Sequence, residues 1–73
     1  MGELIKPTKD GDTKVKWDPN NTEEVEVARE AFKLYCSQGY RAAKMHNKEA
    51  GELIREFDPS ANEILFLTPL AGG

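Results

Sequence analysis

Residues Ile64-Leu65-Phe66-Leu67 form the longest apolar run in the chain, and their reading decides the fold. A strand with one face in water alternates apolar and polar residues. A continuous apolar run of this length is instead the pattern of a strand buried on both sides, inside a sheet rather than at its edge. The preceding Asp58-Pro59-Ser60-Ala61-Asn62 is a cluster of turn formers that brings the chain into that strand. With 73 residues there is room for one small core and not for two domains around a cleft.

Working outward, the helix that covers this strand is legible between Asn21 and Gly39. Asp18-Pro19-Asn20-Asn21 turns the chain, Asn21 is placed as the N-cap, and Glu24 takes the reciprocal capping-box position. Glu23, Glu24 and Glu26 put negative charge at the positive end of the helix dipole, a solvated first turn rather than a site. Val25, Ala28, Phe32 and Tyr35 step by three, four and three residues, with Val27, Ala31 and Leu34 expected to widen the same stripe. Gly39 supplies the left-handed residue that ends the helix.

The remaining stretches read as strands. Leu4-Ile5 and Thr13 to Trp17 flank Lys9-Asp10-Gly11-Asp12, a hairpin signal because glycine tolerates positive φ; Val15 and Trp17 alternate with Lys14 and Lys16, and Pro7 belongs at a strand end. Tyr40 to His46 reads as a strand with Ala43 and Met45 inward. Glu52 to Phe57 reads as another, with Leu53, Arg55 and Phe57 alternating and Asn47 to Gly51 connecting the two. A helix over Asn47 to Phe57 is the alternative, since its residues have good helix propensity, but Gly51 in its middle counts against it. The order is hairpin, helix, one or two strands and a buried last strand: an α+β, two-layer architecture with one main helix across a mixed sheet of four or five strands, which is the β-grasp order. Trp17, Phe32, Tyr35, Phe57 and Phe66 are its expected core.

Composition narrows the function. Hydrophobic residues are 38% and charged residues 32% of the chain, a balance suited to a folded domain rather than a disordered one. The net charge of −3 is the wrong sign for neutralising phosphates, so nucleic acid is not expected as a partner. Nothing approaches the length of a membrane span, and no secretory pattern is seen, because Leu4-Ile5 is followed at once by Lys6-Pro7. A cytoplasmic monomer is therefore expected. Asn20-Asn21-Thr22 matches a glycosylation sequon only by accident in that setting.

Cys36, the single cysteine, falls beside the apolar stripe and reads as a small buried residue. His46, the single histidine, has no second ligand or nucleophile near it and reads as structural or solvated. No paired carboxylates, nucleophile–base set or phosphate loop is present, so the chain is not read as an enzyme, and no metal or cofactor is expected.

The block Glu63-Ile64-Leu65-Phe66-Leu67-Thr68-Pro69-Leu70-Ala71-Gly72-Gly73 carries a resemblance. A hydrophobic strand, a proline-containing segment and a small residue before a Gly-Gly pair make the chain resemble the ubiquitin-like β-grasp family, and within it the small sulfur-carrier proteins of molybdopterin and thiamin biosynthesis. Thr68 stands where molybdopterin carriers commonly have a second proline. The resemblance implies a domain over residues 1–69 with a flexible diglycine tail over 70–73. It implies that an ATP-dependent activating enzyme adenylates Gly73, which then becomes a thiocarboxylate through a sulfurtransferase or is conjugated to a target. Gly72 and Gly73 would be the activated end, and Pro69, Leu70 and Ala71 the segment threaded into the partner. Glycine suits a narrow channel because it has no side chain to clash, and extended chain of about 3.3 Å per residue lets Leu70 to Gly73 reach roughly 13 Å. Met45, Leu53, Leu67 and Leu70 are the candidates for an exposed docking patch. The alternative is a non-catalytic β-grasp interaction module with a passive tail.

Overall fold

The structure, a computed structural model, describes residues 1–46 and 49–68, with the side chains of residues 46, 49 and 50 outside the description. Two strands, β1 (Gly2–Thr8) and β2 (Gly11–Trp17), are followed by one helix, α1 (Thr22–Ser37), and by β3 (Arg41–His46), β4 (Glu49–Ile54) and β5 (Ile64–Leu67). They form one five-stranded sheet in the order β2-β1-β5-β3-β4. β1 pairs antiparallel with β2 and parallel with β5, and β3 runs antiparallel to both β5 and β4. The fold is α+β and β-grasp-like: the helix crosses one face, and the last strand sits in the middle.

The first hairpin forms as its Asp-Gly signal predicts. Gly11 takes φ of 120°, a conformation that L side chains rarely adopt, and the strands register from Gly2 opposite Trp17 to Thr8 opposite Gly11. Pro7 is one residue from the end of β1.

The helix begins as expected and is capped somewhat differently. Asn21 accepts the Glu24 backbone N–H at 3.2 Å. The Glu24 carboxylate, however, accepts the Asp18 N–H at 2.8 Å and the Asn21 side-chain amide at 3.2 Å, because the Asn21 N–H is already given to the Asp18 carbonyl. At the other end Gly39, with φ of 98°, donates to Cys36 and Tyr40 donates to Tyr35, the paired bonds of a Schellman close.

The core lies between helix and sheet. Leu4, Trp17, Ala28, Phe32, Ile64 and Phe66 are buried, with Ala42 and Ala61 beside them and Tyr35 and Phe57 packed against them. Each large side chain fully removed from water contributes about 1.5–3 kcal/mol. Phe66 receives the edges of Phe32 and Tyr35 at 5.5 and 5.1 Å, and Phe57 meets Trp17 at 4.9 Å. The one polar atom on the indole is satisfied, since Nε1 donates to the Pro59 carbonyl at 2.9 Å.

Four sequence expectations are corrected. Val27 and Leu34 do not widen the helix stripe; they are 62% and 53% exposed, because at about 100° per residue they fall on the far side from Ala28 and Phe32. β5 is central but covered on one face only: Ile64 and Phe66 are buried while Leu67 is 42% exposed, since a single helix can cover only one side of the sheet. In β3 and β4 the residues facing the helix are Ala42 and Ile54, which register with each other and with Phe66; Ala43 is also buried but on the opposite face, and Leu53 opposite it is 61% exposed. Finally, β4 covers Glu49–Ile54 rather than Glu52 to Phe57, so Phe57, beyond the strand, is free to turn back onto Trp17. The strand reading of this stretch holds against the helical alternative, with residues 47 and 48 outside those described.

Candidate functional site

The open face of the sheet is the surface on which the expected site residues can be placed. Cross-strand partners share a face, so Ile5, Leu65 and Ala43 form a row across β1, β5 and β3, and Leu53 extends it onto β4. Leu67 follows two residues after Leu65 on the same side, opposite Arg41. Alternation along β3 puts Met45 with Arg41 and Ala43. An apolar strip therefore runs from the middle of the sheet to the end of β5.

Charged residues of both signs border that strip. Lys14 lies opposite Ile5 and Lys16 opposite Glu3, with Lys14 Nζ 3.8 Å from Glu3 Oε1; Arg41 stands beside Leu67. Asp12, near the hairpin tip, and Glu63, opposite Met45, add carboxylates on this face. The first turn of α1, on the opposite side of the molecule, is acidic.

The helix-facing side of the sheet contributes two polar contacts, one to the end of α1 and one to the turn before β5. Lys6 reaches under the C-terminal end of α1, 4.6 Å from the Tyr35 ring centroid and 5.1 Å from that of Tyr40. No basic residue occupies the last turn of the helix itself, so Lys6 brings the positive charge that this end of the dipole favours. Lys44 Nζ binds Asp58 Oδ2 at 2.8 Å, tying β3 to the turn before β5. That bond, with the Ser60 hydroxyl and backbone N–H donating to Oδ1 at 2.6 and 2.9 Å, pulls the Asp58 carboxyl down to about 2. The Asp58 hydrogen bond and charge in turn push the Lys44 ammonium up.

Of the expected site residues, Leu53 and Leu67 come together on the open face. Pro69, Leu70, Ala71, Gly72 and Gly73 lie outside the described residues; Thr68, exposed, is the last residue before them. The side chain of His46 is likewise outside the description. Cys36 is half-buried rather than buried, and its burial pushes the thiol up from its ordinary range. Among the described residues no group of carboxylate, histidine and cysteine side chains is arranged to hold a metal, and no helix is long and apolar enough to cross a membrane. Ile5 and Leu65 were not among the sequence candidates for docking. The sequence carries no parity at either place, since Leu4-Ile5 and Ile64 to Leu67 are consecutive apolar residues, and the face each one occupies requires the register.

No protein-family model matches the chain, and no curated protein or solved structure matches it either.

Proposed function

We propose that this chain is a small ubiquitin-like carrier or modifier whose Gly73 carboxylate is activated by a separate ATP-dependent enzyme. One observation carries the reading: β5 is the central strand of the sheet, hydrogen-bonded on both sides, and the chain leaves it through exposed Leu67 and Thr68 directly before Pro69-Leu70-Ala71-Gly72-Gly73. A central strand anchors whatever follows it against pulling and threading. Leu65 and Leu67, with Ile5 beside them on β1, adjoin that exit and supply the apolar anchors on which a partner's binding energy concentrates.

The chemistry is borrowed from the partner. A Gly73 carboxylate oxygen attacks the α-phosphorus of ATP and displaces pyrophosphate, leaving an acyl adenylate. Attack by hydrosulfide on that carbonyl expels AMP and leaves a thiocarboxylate; attack by a thiolate leaves a thioester, which a target amine converts to an amide. No side chain of the chain itself acts in these steps. Incubation with an activating enzyme and ATP, read by intact mass, tests the proposal; if deleting Gly72 and Gly73 leaves the biological activity unchanged, it is wrong.

A second reading, a non-catalytic interaction module with a passive tail, is favoured by the 61% exposure of Leu53 on a strand remote from the β5 exit. It expects substitutions at Leu53 and Met45 to abolish activity and tail deletion to have no effect.

A further inference from the structure

A second surface lies between α1 and the segment that follows β4, and it reaches round the ends of β3 and β4 to Arg41 and Leu53 at the border of the open face. A cavity of ≈ 520 Å³ there is floored by Phe32 and Phe57 and rimmed by Arg29, Lys33 and Arg55. A neighbouring one of ≈ 460 Å³ runs on past Tyr40 and Arg41 to Leu53 and Ile54. The two share Cys36 and Arg55, so they adjoin each other along one groove wall. Each volume falls within the range typical of ligand-binding clefts.

The charge of this groove runs against that of the molecule. The chain carries 13 acidic and 10 basic residues, yet four cations line the groove, Arg29, Lys33, Arg41 and Arg55, against one carboxylate, Glu56. Arg29 is partly engaged by Glu26 at 3.5 Å. Among the described residues Lys33, Arg41 and Arg55 have no carboxylate within ion-pair distance. Between these cations the floor is apolar, so a ligand made only of charge would leave Phe32, Phe57 and Ile54 unused, and a purely apolar one would leave the cations unpaired.

The backbone beside the groove adds a third constraint. Leu53 and Ile54, which border the groove, are the last two residues of β4, the outermost strand on its side of the sheet, so strand backbone without a strand partner among the described residues adjoins the groove at that end. That favours an occupant with an extended backbone of its own.

We propose that the α1/β4 groove binds an extended acidic peptide segment of a partner protein. One large apolar side chain seats on Phe32 and Phe57, and carboxylates on either side pair with Lys33, Arg55 and Arg41. The occupant is acidic because charge complementarity requires it, and extended because it spans two adjoining cavities and meets strand backbone only at the end of β4. This site is independent of the tail: the chain lacking Gly72 and Gly73 binds the same peptide equally well.

The test uses the full ¹⁵N-labelled chain titrated with the acetylated peptide Asp-Glu-Val-Phe-Val-Glu-Asp. Two counterparts accompany it, one with lysine in place of every acidic residue and one with alanine in place of phenylalanine. The expected result is amide shifts grouped in residues 29–36 and 53–57, slower alkylation of Cys36 in the presence of the acidic peptide, and weak or no binding of both counterparts. Lys33→Glu combined with Arg55→Glu, both at exposed positions, should weaken binding at least about tenfold at low salt. Lys33→Arg should retain it, as should Lys14→Glu on the opposite edge. The proposal is overturned if the peptide fails to bind at millimolar concentration, if its shifts fall on β1 and β2, if the lysine counterpart binds as well, or if the double charge reversal, still folded by circular dichroism, binds unchanged. Sedimentation showing that the free chain dimerises through this groove would overturn it too, by naming a second copy as the occupant.

Discussion

Trp17 donates its indole N–H to the carbonyl of Pro59, 42 residues further along the chain, at 2.9 Å. The bond joins the end of the first hairpin to the turn that launches β5, so the strand that leads to the tail is held by a contact made at the opposite end of the sequence. Replacing Trp17 with Phe keeps a ring against Phe57 but leaves the Pro59 carbonyl without its donor and a gap beside it. The expected cost is about 2–4 kcal/mol, measured by urea denaturation; a loss below about 0.5 kcal/mol would show the bond to be dispensable.

Gly2 stands opposite Trp17 in the β1–β2 register, and a methyl group there would fall inside the indole, on Cζ2 and Cε2. Neither the buried ring nor the paired backbone can move away freely. Gly2→Ala is therefore expected to destabilise the chain by about 1–3 kcal/mol through overpacking, whereas Gly11→Ala meets no neighbouring atom and acts only through its φ of 120°. Thermal melts of the two variants distinguish the causes, since Gly2→Ala should also shift Trp17 fluorescence.

The Lys44–Asp58 bond gives stability a pH dependence. Asp58 titrates near 2 in the folded chain against 3.8 as its ordinary value, so between those values the unfolded state holds more protons and stability rises with pH. The contribution is complete above about pH 4 and is lost as pH falls toward 2. Asp58→Asn should be less stable than the parent at pH 6, with the gap closing across that acid window. A gap that stays constant from pH 6 to pH 2 would contradict the assignment.

Much of this fold can be read from the sequence because the decisive signals are local. The Asp-Gly turn, the Asn21 cap, Gly39 and the run Ile64 to Leu67 each specify backbone geometry within a few residues. Which face of a strand meets the helix is not local. The choice between Ala42 and Ala43, or Leu53 and Ile54, follows from pairing with Phe66 and Leu65 across the sheet, and in a strand with alanine at successive positions the pattern carries no parity. The exposure of Val27 and Leu34 follows from the turn angle of the helix, which carries them away from Ala28 and Phe32 although all four are apolar. Half of the docking strip is legible: Leu53 and Leu67 stand out by residue type, while Ile5 and Leu65 need the register. The α1/β4 groove had no sequence signal, because Arg29, Lys33, Arg41 and Arg55 lie on three separate segments.

The open face separates stability from recognition. Leu53→Asp places a charge at an exposed position and should change folding stability by no more than about 0.5 kcal/mol, while weakening association with whatever partner docks there. Ile64→Asp, by contrast, buries an unpaired carboxylate in the core and should prevent folding. Pull-down of a bound partner, compared with circular dichroism of the same variant, measures both. Loss of fold in Leu53→Asp would mean that the residue is structural.

The central claim is that Gly73 is chemically activated, and intact-mass spectrometry of the chain isolated from cells that natively produce it tests this most directly. The account predicts a fraction in which a terminal oxygen is replaced by sulfur, or one joined through Gly73 to another molecule, and predicts that both vanish with deletion of Gly72 and Gly73. A chain found only as the free carboxylate, whose truncated form supports the cells equally well, would contradict it.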